Sequence, residues 1–482
     1  IYMLRRMTDK VESISIVGAG LAGCALSVLL SNAGYSNINV YEKRPRENDA
    51  TSLVNRARSI NLALSDRGIK TLTEAGLMSE IDSISIPMRG RMIHTIDSQT
   101  SFQPYSSNSN KHLLSVSRQL LNEKMRNYAE KNSSDKVKFH YDVACKDVDL
   151  RKNQFTLVNN TTNERNTVHS DTIIGADGAF SAIRQALTRQ DRQEYSQSYL
   201  AHGYKELCIP AGPNGTYLLE KNALHIWPRG SFMMIALPNI DASFTCTMFF
   251  PFDGETDSFA ALDSLPKVDE YFKRVFPDAH ALMPTLLEDW ELNPTCSLVT
   301  VKTYPWSLEH RVTLVGDAAH AIVPFYGQGM NAAFEDVLDL YQCIIAEQDK
   351  SSKVLSTASL KRAYSNYQVH RKDNSDAIAE MAVENFIEMR DSVANQVYQF
   401  KKKLEHALEE KFPRRYISRY ELISFSRTPY ALVQKVSVVN QNILNKLIEG
   451  TNFDITKVDF TLAEKMINDL LVPFNLAQHL QQ

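Results

Sequence analysis

Nowhere in the 482 residues does an uninterrupted apolar run reach the roughly 18 residues needed to cross a bilayer. No membrane-spanning helix is therefore expected. The first ten residues carry Arg5 and Arg6 and lack the apolar core of a secretory signal. Cysteine is scarce. The six cysteines, Cys24, Cys145, Cys208, Cys246, Cys296 and Cys343, include no pair at C-x-x-C spacing, so neither a zinc site nor a redox dithiol is indicated, and no metal is expected. A disulfide framework does not suit a chain of this length, and reduced thiols are expected. A long basic tract is missing too, and the formal net charge is −3, which argues against a nucleic-acid partner. Internal repeats and low-complexity tracts are absent.

What is present is ordinary globular composition, with 43% hydrophobic and 23% charged residues. The length suggests two or three domains. Ser13 to Val17 is β-prone, Cys24 to Leu30 has helical spacing, and Asn37 to Tyr41 reads as a second strand. Ser65 is placed to cap a helix through Ile69, Leu72 and Ala75. Leu113 to Ser117 reads as a strand and Arg118 to Tyr128 as the helix after it, while Lys138 to Val148 and Gln154 to Val158 read as strands around a turn. In the middle, Ala223 to Leu237 and Ser243 to Phe250 are rich in Trp, Phe, Met and Ile, which predicts an antiparallel sheet with one buried face. From about Ser356 onward the pattern is mostly helical.

Three motifs carry chemistry. Gly18-Ala19-Gly20-Leu21-Ala22-Gly23 follows a strand and opens a helix. Gly18 permits the tight turn, Gly20 the approach of a pyrophosphate, and Gly23 close helix–strand packing. The helix start then faces phosphate charge. Glu42 lies at the end of the second strand, where a carboxylate can hold ribose hydroxyls. This pattern alone does not separate FAD from NAD. The second motif is Gly175-Ala176-Asp177-Gly178, and the third is Gly316-Asp317-Ala318-Ala319-His320. Each puts a carboxylate just past a core strand, where ligands collect in doubly wound sheets. Either Asp could instead cap the next helix.

Together, in this order, the three motifs resemble the single-component FAD-dependent aromatic hydroxylases. The resemblance implies an α/β fold: a Rossmann-like FAD-binding domain (11–80, 110–190, 297–350) interleaved with an antiparallel-sheet substrate domain (81–109, 191–296), and a helical C-terminal region (351–482). It implies FAD, with Gly18, Gly20, Leu21, Ala22, Gly23, Glu42, Lys43, Arg44, Ala63, Arg118, Val143, Asp177, Asp317, Gly329, Met330 and Asn331 on the cofactor side. Asp317 would bind the ribityl chain. The segment Pro324-Phe325-Tyr326-Gly327-Gln328 would lie at the flavin ring, with Pro324, Phe325 and Gln328 nearest the chemistry. His320 is expected to be structural. No second strand–glycine–helix unit appears, so NADPH would act as a transient co-substrate without a domain of its own.

Further segments, Arg58 to Ser65, Pro87 to His94, His225 to Arg229, Phe232 to Asn239 and Asn385 to Arg390, resemble the branch of that family acting on L-kynurenine. That branch implies 3-hydroxylation with NADPH and O2 through a flavin C4a-hydroperoxide. Arg91, Tyr105, Asn385 and Tyr420 would clamp the polar end of the amino acid. The alternatives are a flavin hydroxylase of another aromatic acid and a non-catalytic FAD-binding protein. Two residues depart from the family pattern beside the flavin: Tyr326, where Phe is usual, and Ala333, where Gly is usual. Eukaryotic relatives imply the cytosolic face of the mitochondrial outer membrane, reached by an apolar anchor. Here Phe460 to Gln482 is only amphipathic, and the chain itself reads as soluble, with membrane association left to the resemblance.

Overall fold

The computed structural model describes residues 10–46, 60–106, 111–349, 354–391 and 396–480. Arg58 and Ser59, which open one family-like segment, and the arginines Arg5 and Arg6 lie outside the described residues.

The first layer is a six-stranded sheet ordered Ser307–Leu308, Val312–Leu314, Thr172–Gly175, Ile14–Val17, Ile38–Tyr41, Val137–His140. All its pairings are parallel except the short hairpin at Ser307–Leu308. Its central strands are apolar on both faces because helices cover both sides. Register decides where the strand ends lie. Val17 pairs with Gly175, and Gly175 with Leu314. The loops after three strands far apart in sequence therefore leave one edge side by side.

The second layer is a seven-stranded sheet ordered Cys296–Tyr304, Glu194–Ile209, Phe244–Pro251, Met233–Pro238, Ala223–Pro228, Gly90–His94, Thr100–Pro104. The expectation of a purely antiparallel sheet needs one correction: Ala223–Pro228 runs parallel to Gly90–His94. The long connection between them makes that direction possible, whereas hairpin-linked neighbours must run antiparallel. Cys296–Tyr304, placed largely with the nucleotide unit by a division at 297, is an edge strand of this sheet. Ser85–Met88 pairs instead with Leu113–Ser117, which also pairs with Asn61–Leu64.

Two local expectations also change. The segment expected to be one strand from Lys138 to Val148 breaks into Val137–His140 and Val143–Asp149, with Asp142 at φ 57° between them. Helix Asp66–Glu74 does start after Ser65, but the Ser65 hydroxyl makes no cap and is buried without a partner. Its backbone N–H goes to Asn331 Oδ1 instead.

Helices Thr357–Asp391, Gln396–Lys411, Tyr430–Ile448 and Phe460–Leu470 form the third region. Their core is Leu404, Leu408, Val433, Val436, Leu444 and neighbours. The end helix docks there through Ala463 and Ile467, while Leu470 stays 43% exposed, so only part of the expected apolar face is buried. Among the described residues no helix is long and apolar enough to cross a membrane.

Candidate active site

One cavity of about 370 Å³ runs from the glycine loop of the first sheet to the inner face of the second. At one end lie Gly20, Leu21 and Ala22, the start of helix Leu21–Asn32. The first N–H groups of any helix lack intrahelical partners. The chemistry of the glycines is visible in the space around them. A Cβ on Gly20 would meet nothing within 4 Å, so the backbone there is open to a ligand. A Cβ on Gly23 would lie 2.0 Å from Gly18 O, so close packing of helix on turn requires glycine. Gly18 adopts φ +109°, and its Cβ would lie 2.3 Å from Ala176 O.

That position yields a prediction. Gly18→Ala forces a backbone that an L side chain resists by about 1–3 kcal/mol, and it pushes on the Asp177 loop. FAD affinity of the reconstituted apoprotein, read by quenching of flavin fluorescence, is expected to fall at least ~10-fold. Unchanged affinity would mean that the loop does not contact the nucleotide.

Glu42 is almost fully buried beside this turn. Its Oε2 accepts from Ala19 N–H at 3.0 Å, and its Oε1 accepts from Arg44 N–H and Nε–H. Burial alone would raise the carboxyl pKa, but these bonds outweigh it and hold the group below the usual range. Lys43, Arg44 and Val143 flank it; Val143 N–H donates to Glu42 O. Asp177 takes up the alternative considered for it: Oδ2 accepts from Ala182 and Ile183 N–H at the start of helix Ala182–Leu187. Its Oδ1 is buried without a partner. Ala176, Gly178 and Ala179 around it line the cavity.

The middle of the cavity is walled by Ala63, Arg118, Asp317, Pro324, Phe325, Tyr326, Gly327, Gly329, Met330 and Ala333. Asp317 and Arg118 are exposed to it. Asn331 does not line it. Its amide instead ties three segments together, accepting from Ser65 N–H and donating to Ala63 O and Gly327 O. Gln328 is also buried off the cavity, where its Oε1 accepts from Tyr430 OH at 2.8 Å. His320 is structural, as expected: it bonds Asp336, a fully buried residue that also accepts from Gly316 N–H and Arg371 Nε–H.

The far end belongs to the second sheet. Leu224, Ile226, Met233, Ile235 and Phe249 form an apolar wall, with Phe249 5.1 Å from Phe325 between ring centroids. Phe325 stacks on Phe386 at 4.3 Å, and Asn385 Nδ2 donates to Phe325 O. Asn385 therefore supports the loop rather than lining the cavity. Beyond the wall stand Arg91, Tyr105 and Tyr420. Arg91 Cζ lies 4.4 Å from the Tyr420 ring centroid, and the two tyrosine rings stack at 5.5 Å. Arg91 Nε and Tyr105 OH are both buried without a hydrogen-bond partner of good geometry, Tyr420 being their polar neighbour, and among the described residues no carboxylate is paired with Arg91. Buried polar groups left so are costly unless a ligand completes them.

Sequence reading picked out the run Ser243 to Phe250 without singling out Thr247 and Phe249 on the cavity wall, and it missed Tyr204 there. It also missed Glu206, two residues beyond Tyr204 on the same face of strand Glu194–Ile209, 8% exposed and with Oε2 unpartnered. Strand alternation could have found that face, but a register shift between Tyr199 and Gly203 hides its phase. Burial pushes the Glu206 carboxyl up to about 7, against the opposing pull of Arg118. The folded protein thus keeps this proton across about pH 4.5–7 while the unfolded chain releases it. Stability is lost as pH rises through that window, on the order of 2–3 kcal/mol for this group. Glu206→Gln is expected to flatten that part of the pH profile in urea unfolding. A profile of unchanged slope would contradict it.

Residues 10–373 match the FAD binding domain family. The kynurenine 3-monooxygenase of Dictyostelium discoideum is 59% identical over 95% of this chain and 98% of its own length. That of Myxococcus xanthus is 42% identical over 96% and 97%. Among solved structures, 2-methyl-3-hydroxypyridine-5-carboxylic acid oxygenase aligns at TM-score 0.62 with 18% identity, covering 80% of this chain and 94% of that one. HpxO of Klebsiella pneumoniae, solved with FAD and uric acid, aligns at 0.60 with 18% identity, covering 83% and 94%. These two share the fold. Identity of 59% over 95% of its length places the chain in the kynurenine 3-monooxygenase family of FAD-binding-domain proteins.

Proposed function

We propose that the protein hydroxylates L-kynurenine at ring position 3, with FAD as cofactor and NADPH and O2 as co-substrates. The observation that carries this reading is the pair of unpartnered polar groups, Arg91 Nε and Tyr105 OH, at the end of an otherwise apolar cavity. A forked guanidinium suits an α-carboxylate. The apolar stretch between it and the loop Pro324–Gly327 suits an aryl ring.

FAD fits the residues present. Its pyrophosphate would rest on the open backbone at Gly20 and the helix start at Leu21 and Ala22, with Glu42 on the adenosine side. Asp317 and Arg118 would hold the chain between nucleotide and ring. When bound and reduced by NADPH, FAD supplies the activated oxygen that is transferred to the substrate. The protein's own work is placement. Arg91 and Tyr105 hold the carboxylate, and Tyr420 stacks beside the guanidinium. Phe249 and Phe325 fix the ring, while Leu224, Ile226 and Met233 keep water from the reacting face. Asn385 and Gln328 act through the loop backbone and Tyr430. Location on the cytosolic face of the mitochondrial outer membrane rests on the resemblance to eukaryotic relatives alone; cell fractionation tests it.

The test is a substrate panel. L-Kynurenine is expected to accelerate NADPH oxidation strongly, and anthranilate and 4-hydroxybenzoate are not. Equal stimulation by the simple benzoates would point to another aromatic acid.

A further inference from the structure

Helix Gly329–Glu347 leaves the flavin-side loop and packs along helix Thr357–Asp391. On their outer seam, remote from the cavity lining, three side chains of different donor type converge. Asp339 and Cys343 are one turn apart on the first helix, and His370 reaches over from the second. Cys343 Sγ lies 3.7 Å from His370 Nδ1 and 3.8 Å from Asp339 Oδ2, and His370 Nδ1 lies 3.3 Å from Asp339 Oδ1. Their ligand atoms all lie within 4.8 Å of one another. Tetrahedral zinc, with bonds near 2.0–2.3 Å, sets its ligand atoms about 3.3–3.6 Å apart. The Cys343–His370 and Cys343–Asp339 separations are close to that spacing; with a single Asp339 oxygen as ligand the three atoms lie within 4.8 Å, so a small side-chain adjustment completes the triangle. Burial is graded in a useful way: Cys343 is buried, Asp339 half-buried and His370 exposed, so an ion could enter from the His370 side and keep water as its fourth ligand.

We infer that Asp339, Cys343 and His370 form a three-ligand site for a divalent transition ion that accepts thiolate, imidazole and carboxylate, with Zn²⁺ the best fit. The mixed S/N/O set excludes Mg²⁺ and Ca²⁺, which take oxygen ligands. Before metal arrives the Cys343 thiol carries its proton and donates to Asp339 Oδ2. Zn²⁺ then forms the Zn–S bond as the S–H bond breaks, and the proton passes to solvent. Nothing is oxidised or reduced. The bound ion would clip the helix that starts at the flavin loop to the helix that carries Asn385.

The test uses the FAD-loaded protein titrated with Zn²⁺, and with Co²⁺ as a coloured probe, in weakly buffered solution. One ion per chain is expected at micromolar concentration or tighter, with about one proton released per ion. Cys343 should become protected from a maleimide in peptide mapping, and Co²⁺ should show thiolate charge-transfer absorption. Cys343→Ser should abolish that absorption, and His370→Ala, a surface change that spares folding, should weaken binding at least ~10-fold. Cys296→Ser, elsewhere, should change neither. Binding that is only millimolar, or that survives Cys343→Ser and His370→Ala unchanged, would identify an adventitious ion only and overturn the assignment.

Discussion

Arg91→Met is expected to lower kcat/KM for L-kynurenine by about 10²–10³-fold, most of it in KM. Methionine keeps an unbranched apolar stem against Tyr105 and Tyr420 and removes only the charged fork. In the wild type the guanidinium sits over the Tyr420 ring with Nε unpartnered and, among the described residues, no carboxylate paired with it. The substrate carboxylate is the group that would complete it. Losing one member of such a pair leaves the other buried and unsatisfied, which costs about 2–5 kcal/mol. The decarboxylated amine of the same substrate supplies the control. It should bind the wild type poorly and be nearly indifferent to Arg91→Met, because each change removes the same contact. Equal losses for acid and amine would show that Arg91 serves the sheet rather than the substrate.

The second large effect concerns a residue that touches no ligand. Asp336 is fully buried and accepts from Gly316 N–H, from His320 and from Arg371, while Arg371 also pairs with Glu335. Burial alone would raise its pKa, yet His320 and Arg371 outweigh that and hold it below the ordinary carboxylate range. Asp336→Asn leaves the Arg371 charge with half its buried support and should cost about 3–5 kcal/mol of stability. Because Gly316 N–H hangs on the same carboxylate, Asp317 beside it should shift, and FAD affinity should fall with stability. The sign of the pH dependence comes from the depressed pKa. The Asp336 contribution is complete above its unfolded value of about 3.9 and is lost as pH falls through the lower folded value. The gap between wild type and Asp336→Asn should therefore be full at neutral pH and narrow in acid. A gap that widened in acid would mean the carboxylate is not the stabilising partner.

The nucleotide end of the site was readable from sequence because its logic is local. Gly18, Gly20 and Gly23 each answer to one steric demand within a single turn, and Glu42 meets Ala19 N–H through neighbouring parallel strands. The substrate end was readable only as a resemblance. Arg91 and Tyr105 meet across the antiparallel hairpin of Gly90–His94 and Thr100–Pro104, but Tyr420 arrives on helix Arg419–Ser424, which no local pattern announces. Asp177 shows the limit of motif reading: its position past a core strand suited a ligand, but its Oδ2 caps a helix. Asn331 and Gln328 sit in the flavin-side segment, yet their amides are consumed by Ser65, Ala63 and Tyr430, partners between about 100 and 270 residues distant. The convergence of Asp339 and Cys343 with His370 was invisible to a search for paired cysteines. Only the i, i+4 spacing of the first two is local.

The most direct measurement is turnover of L-kynurenine under ¹⁸O2 with NADPH, with the product analysed by mass spectrometry. One ¹⁸O atom should enter the ring carbon next to the amine, the other should leave as water, and one NADPH should be consumed per product. Rapid NADPH loss that yields only hydrogen peroxide, with L-kynurenine recovered unchanged, would contradict an aryl ring held between Arg91 and the flavin-side loop.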